Sequence, residues 1–110
     1  MRRLLPTLAL VAAALSVGSA AGAAARPAKT WTIVVSQLAF GQSPADAHVG
    51  DTIVWVNQDI FLHSATAGDH SFDVAIPVHG SGRLTLNKAG VFAYTCKYHP
   101  GMKAQLVVKK

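Results

Sequence analysis

The chain has 110 residues, with ten Lys and Arg, five Asp, no Glu and a single cysteine. A chain of this length has room for one small domain and a leader, which excludes a multidomain oxidase. Its net charge of +5 at pH 7 is too small for the dense basic face of a nucleic-acid-binding protein.

The first 25 residues have the pattern of a secretory signal peptide. A positive start is followed by the apolar stretch Leu4–Val17 and by the small residues Ser19–Ala25. We therefore predict a leader over residues 1–25, cleaved before Arg26, although cleavage two or four residues earlier also satisfies the small-x-small rule. The apolar stretch is too short to span a bilayer. The mature domain, residues 26–110, is expected to be periplasmic or otherwise exported, without a membrane span.

The mature sequence consists of short β-rich runs separated by Gly, Pro, Asn and Asp, with no convincing amphipathic helix. We expect an all-β domain. The predicted strands are Trp31–Ser36, Ala45–Val49, Thr52–Val56, Ser71–Ile76, Arg83–Leu86, Val91–Cys96 and Ala104–Lys109. The weakly patterned stretch Ala65–Gly82 is expected to hold an edge strand and loops.

Three side chains with metal-binding atoms stand at three-residue steps in one short segment near the carboxyl end. They are Cys96, His99 and Met102, and the intervening Pro100 allows a tight turn. A second imidazole, His63, lies upstream. Two His, one Cys and a weak axial Met form the coordination sphere of a blue-copper electron-transfer site. The sequence therefore predicts one bound copper ion, cycling between Cu(I) and Cu(II).

Other interpretations of these residues are less specific. A lone cysteine is most often a small core residue, and a lone methionine often fills a core. The remaining histidines, His48, His70 and His79, are interpreted as surface residues. Zinc is a weaker candidate for this site because a thioether is a poor zinc ligand.

The segment from Gly90 to Met102 carries the pattern Gly-x-Phe-x-Tyr-x-Cys-x-x-His-Pro-x-Met, and Asn57 stands six residues before His63. By these motifs the chain resembles the cupredoxin family of type 1 blue copper proteins, which includes plastocyanin, and most closely its amicyanin branch. The resemblance covers nearly all of the mature chain. It implies a Greek-key antiparallel β-sandwich of about seven to eight strands.

The resemblance also implies roles for individual residues. His63, Cys96, His99 and Met102 would bind the copper. Asn57 would hold the His63 and Cys96 segments together through hydrogen bonds. The candidate docking surface for a redox partner consists of Phe61, Leu62 and Pro100, with Lys97 and Lys103 steering an acidic partner.

The function expected from the sequence is that of an exported electron carrier, a monomer and not an enzyme. Its expected partners are redox proteins such as a periplasmic dehydrogenase or a c-type cytochrome. A cysteine hydrolase is disfavoured because Cys96 has no nearby acid in sequence to orient a histidine. The alternative function is storage or delivery of copper, although the methionine-rich or two-cysteine sites typical of copper chaperones are absent from the sequence.

Overall fold

The computed structural model describes residue 9 and residues 26–110, so the predicted leader and its cleavage site lie outside the described residues, residue 9 apart. The described part contains eight strands. They are β1 (Thr30–Ser36), β2 (Ala39–Phe40), β3 (Thr52–Asn57), β4 (His63–Ala67), β5 (Asp73–Ile76), β6 (Ser81–Thr85), β7 (Gly90–Thr95) and β8 (Lys103–Val108). Within the described residues no helix is long and apolar enough to cross a membrane.

The strands form two four-stranded sheets, in the orders β2-β1-β3-β6 and β5-β4-β7-β8. The predicted all-β sandwich is confirmed. All named strand pairs are antiparallel except β1 and β3. That pair is parallel because β2 and residues 41–51 carry the chain back along β1 before β3 begins.

The core lies between the sheets and is built by period-two alternation along the strands. In β3 the buried residues Ile53, Trp55 and Asn57 alternate with half-buried neighbours that face outward. Trp55 packs against Tyr94 of β7 with ring centroids 5.7 Å apart, and its indole N–H donates to the Tyr94 hydroxyl at 3.2 Å. This aromatic contact joins the central strands of the two sheets.

The prediction of a strand over Ala45–Val49 is wrong. The structure has bends there and a single bridge between His48 and Lys109. The bridge does not extend into a strand pair. The His48 amide donates to the Asp51 carboxylate at 3.0 Å and so is not available to a neighbouring strand. The other six predicted runs match strands to within two residues at each end.

The short strand β2 and the central strand β4 were not predicted. In β4 four of the five residues are buried, and they include His63, Ser64 and two alanines. A strand that is buried on both faces and built from small and polar residues has neither alternation nor a hydrophobic run. Its place between β5 and β7 was therefore not visible in the sequence.

Candidate metal centre

Three of the four predicted metal ligands come together at one end of the sandwich. His63 is the first residue of β4, Cys96 follows β7, and His99 lies in the connection to β8. Their donor atoms all lie within 4.8 Å of one another. His63 and Cys96 are buried, with 0% and 1% of their surface exposed, whereas His99 is half-buried.

The distances within this trio fit a metal better than direct hydrogen bonding. Nδ1 of His63 lies 3.7 Å from Cys96 Sγ, and Nδ1 of His99 lies 3.8 Å from it. A metal bonded to sulfur at about 2.3 Å and to nitrogen at about 2.0 Å in a trigonal plane separates the two donor atoms by about 3.7 Å. The two imidazoles and the thiol are therefore spaced for a metal ion between them.

The loop from Cys96 to Met102 closes on itself through its backbone. The Cys96 amide donates to the Met102 carbonyl at 3.2 Å, and the Met102 amide donates to the His99 carbonyl at 2.8 Å. Met102 is 3% exposed and belongs to the buried core cluster. Its role as the axial ligand stays a prediction.

Several groups around Cys96 favour its thiolate. Burial alone would raise the pKa of this thiol, but hydrogen-bonding groups around it, first the His99 ring and the Ser64 amide, lower it from 9.0 to about 6. The Ser64 amide donates to Sγ at 3.4 Å. At neutral pH the side chain is therefore mostly the anion, which is the form that binds metals.

The hydrogen bonds of the Asn57 side chain lie on the His63 side of the site. The side-chain nitrogen Nδ2 lies within hydrogen-bonding distance of the backbone carbonyls of Phe61, Ile76 and Pro77. The side-chain oxygen Oδ1 accepts a hydrogen bond from the Asp59 backbone amide. Asn57 therefore holds the loop before His63 against the end of β5.

Ser64 links the His63 segment to the Cys96 segment. In addition to the bond from its amide to Sγ, its hydroxyl accepts from the Lys97 amide at 2.9 Å.

Asp59 was missed by the sequence analysis. Its Oδ2 lies 2.8 Å from His63 Nε2, and its carboxylate also accepts from the Gln37 and Leu38 amides. Burial raises the pKa of Asp59, but the Leu38 amide, the His63 ring and the Gln37 amide outweigh burial and hold it below its usual value. The one sequence signal was an acidic residue four positions before the histidine, which is too common to be informative.

Two of the predicted docking residues, Phe61 and Pro100, lie next to His99. Phe61 and Leu62 are 46% and 42% exposed, and Pro100 is also exposed. The Phe61 ring is 5.5 Å from the His99 ring, between centroids. Ile60, which the sequence analysis did not single out, is 71% exposed.

The two predicted steering lysines differ. Lys97 forms a salt bridge with Asp73, with Nζ 3.0 Å from Oδ2, so its charge is offset within the protein. Lys103 is exposed at the start of β8.

The other three histidines lie outside the trio. His70 and His79 are exposed, as expected, and have φ values of 64° and 54°. His48 is half-buried, and its Nδ1 lies 2.9 Å from the Asp46 carbonyl.

Comparisons with known proteins agree with this geometry. No protein-family model matches the chain. Amicyanin from Paracoccus versutus is 24% identical over 89 residues, which cover 76% of this chain and 67% of that protein.

Solved amicyanin structures have the same fold. The crystal structure of the Paracoccus versutus protein has a TM-score of 0.63 at 23% identity and covers 78% of this chain and 87% of that one. A Cu(I) form of an amicyanin variant has a TM-score of 0.63 at 24% identity, with 78% and 88% covered. The resemblance to amicyanin-like cupredoxins is thereby confirmed in sequence and in fold.

Proposed function

We propose that this amicyanin-like chain is an exported blue-copper electron carrier, which shuttles one electron at a time between periplasmic redox partners. His63, Cys96 and His99 would hold the copper, and Met102 would be a fourth, weaker ligand. The observation that supports this most directly is the spacing of the trio, with both Nδ1 atoms 3.7–3.8 Å from one sulfur. Two imidazoles and one thiolate in a trigonal arrangement are characteristic of blue-copper sites.

The chain's own residues keep the site nearly unchanged as an electron arrives and leaves. Copper supplies the Cu(I)/Cu(II) couple, and any large movement of its ligands would slow electron transfer. Cys96 is held by the end of β7 and by the Ser64 amide, and the loop to Met102 is closed by two backbone hydrogen bonds. Because buried ligands on strand ends have little freedom, the ligand positions suit both oxidation states.

His99 is the proposed route for the electron. It is the least buried member of the trio and lies beside the exposed Phe61. Pro100, the next residue in the chain, is exposed, and so are Ile60 and Leu62 on either side of Phe61. We propose that this apolar surface docks a redox protein, such as a periplasmic dehydrogenase or a c-type cytochrome, with Lys103 contributing weak attraction to an acidic partner.

The test is a Cu(II) titration of residues 26–110 followed by visible spectroscopy, reduction and reoxidation. We expect an intense blue colour that bleaches on reduction, returns on reoxidation and is lost in Cys96→Ser, because the colour arises from the copper–thiolate bond. Tight copper binding without the blue colour would contradict an electron carrier and favour storage or delivery of the metal. A matched control is Ser71→Ala, in the turn between β4 and β5, which should remain blue.

A further inference from the structure

The carboxylate of Asp59 joins two parts of the chain that are distant in sequence. Its Oδ1 accepts a hydrogen bond from the Gln37 amide at 2.7 Å, and its Oδ2 accepts one from the Leu38 amide at 3.0 Å. The same Oδ2 lies 2.8 Å from His63 Nε2. One carboxylate therefore connects the turn between β1 and β2 to a candidate metal ligand.

The contact with Asp59 decides which nitrogen of His63 carries the hydrogen. A carboxylate only accepts hydrogen bonds, so the neighbouring Nε2 is the protonated nitrogen. A neutral imidazole has one ring N–H, and Nδ1 is left with its lone pair free. Nδ1 is the atom that lies 3.7 Å from Cys96 Sγ. The ring is therefore held in the tautomer that a metal ligand at Nδ1 requires.

Asp59 is itself anchored on the side away from the metal centre. Gln37 and Leu38 have φ values of 53° and 56°, as in a two-residue type I′ hairpin turn, and their consecutive amides both donate to the carboxylate. The Asp59 amide in turn donates to Asn57 Oδ1 at 2.8 Å. Because backbone amides cannot rotate away as flexible side chains do, the carboxylate is fixed against His63.

We propose that Asp59 is a positioning residue for the metal centre, through which the β1–β2 turn sets the tautomer and the donor strength of His63. The proposal rests on the proposed copper function. A carboxylate on the far nitrogen makes an imidazole a stronger donor, and such partners contribute to metal affinity. A stronger donor stabilises Cu(II) more than Cu(I), so the turn acts on the reduction potential although neither of its residues is a candidate ligand.

The substitution Asp59→Asn tests this proposal because it preserves shape and removes an acceptor. Whichever way the Asn amide is turned, its NH₂ group faces at least one hydrogen that the carboxylate accepted. Where the NH₂ group faces His63, the ring relieves the conflict by moving its hydrogen to Nδ1, which blocks the ligand nitrogen. Where the amide oxygen faces His63, the ring meets an uncharged acceptor that is weaker than the carboxylate.

We expect heteronuclear NMR of the metal-free protein to show His63 protonated on Nε2 in the wild type and a gain of the Nδ1-protonated form in Asp59→Asn. Copper affinity should fall by about 10- to 100-fold. The reduction potential of the copper-loaded variant should shift upward.

Two further variants distinguish a role of Asp59 in positioning His63 from a role in stabilising the loop alone. Asp69→Asn is the matched control, since Asp69 also accepts a backbone amide, from Ser71 at 2.9 Å, in the turn at the opposite end of β4 from His63. It should leave the tautomer, the affinity and the potential unchanged. Asp59→Glu keeps a carboxylate and should restore the Nε2–H tautomer and most of the copper affinity.

The proposal is overturned if Asp59→Asn loses thermal stability but keeps the Nε2–H tautomer and a wild-type potential, because Asp59 would then only fasten the loop. An Nδ1–H tautomer in the metal-free wild type would also overturn it, even if the variant does not fold. These results are distinguishable from a failure of the proposed function, since the tautomer is measured without copper.

Discussion

At the scale of single residues, Cys96 shows how surroundings decide the chemistry of a side chain. A lone buried cysteine is usually an inert hydrophobic residue, and burial raises the pKa of its thiol. Here hydrogen-bonding neighbours, first the His99 ring and the Ser64 amide, outweigh burial and bring that pKa to about 6. Because most of the thiol is already deprotonated at neutral pH, metal binding there releases few protons from Cys96.

The lowered pKa of Cys96 predicts a pH dependence of the metal-free protein. Because the folded pKa is about 6 and the ordinary value is 9.0, the thiolate stabilises the folded state fully above pH 9.0. This contribution is lost as the pH falls through about 6. We expect the free energy of unfolding of the wild type, relative to Cys96→Ser, to increase with pH across that range.

Denaturant titrations of both proteins at several pH values, with ultraviolet absorbance of the thiolate, measure this effect. A thiol that titrates near 9.0, with no pH dependence in the difference between the two proteins, would contradict the prediction.

At the scale of strands, the approach of β5 to β6 matters for the site because it joins the two sheets along one edge. Gly82 of β6 pairs with Trp55, and a methyl group added to it would lie 2.5 Å from the Ala75 carbonyl oxygen and 2.6 Å from Val74 Cγ1. Only glycine allows this approach. β5 also ends near the metal centre. The carbonyl oxygen of its last residue, Ile76, lies 3.3 Å from the side-chain nitrogen of Asn57.

We therefore predict that Gly82→Ala destabilises the fold by roughly 1–3 kcal/mol, since the added methyl group overpacks the contact and must push β5 away. Chemical denaturation measures the loss. Gly68→Ala is the matched control, because its added methyl group would meet the Ala93 carbonyl oxygen at an ordinary 3.8 Å. Equal stability of the two variants would show that the β5–β6 contact can open without cost.

At the scale of the whole molecule, β3 connects two polar centres at opposite ends of the sandwich. Asn57 is its last residue, and the metal centre lies beyond it. Asp51 directly precedes its first residue and is fully buried. The Asp51 carboxylate accepts from the Arg26 side chain, the Lys29 and His48 amides and the Trp31 indole, at 2.8–3.2 Å. It therefore fastens the segment from Arg26 to Trp31 to the core.

Because the two centres are separate, Asp51→Asn should lower stability without changing the metal site. Leaving buried donors without their carboxylate is expected to cost about 3–5 kcal/mol. Burial raises the pKa of Asp51, but its four donor groups outweigh burial and hold the pKa well below the ordinary 3.8. The stabilisation is therefore complete above pH 3.8 and is lost as the pH falls further.

Thermal unfolding of the wild type and the variant at neutral and acid pH measures this effect. The difference in stability between the two proteins should become smaller in acid. The visible spectrum of the copper-loaded variant should match the wild type. A changed spectrum would show that the two ends of β3 are coupled.

Much of the fold and of the candidate site followed from the sequence alone. Strands such as β3 and β7 were predicted because they alternate between buried and exposed residues along a half-buried sheet. The loop from Cys96 to Met102 was recognisable because its metal-binding residues lie close together in the chain, so their spacing carries the chemistry directly.

The tertiary structure decided what depends on contacts between distant segments. The strand β4 was invisible because small and polar residues buried on both faces leave no periodic signal. The carboxylate of Asp59 beside His63, the hydroxyl of Ser64 beneath the Cys96 segment and the pairing of Lys97 with Asp73 join side chains that no spacing rule relates. Local sequence thus determined which residues could bind a metal, whereas the packing of the two sheets determined how those residues are oriented, charged and held.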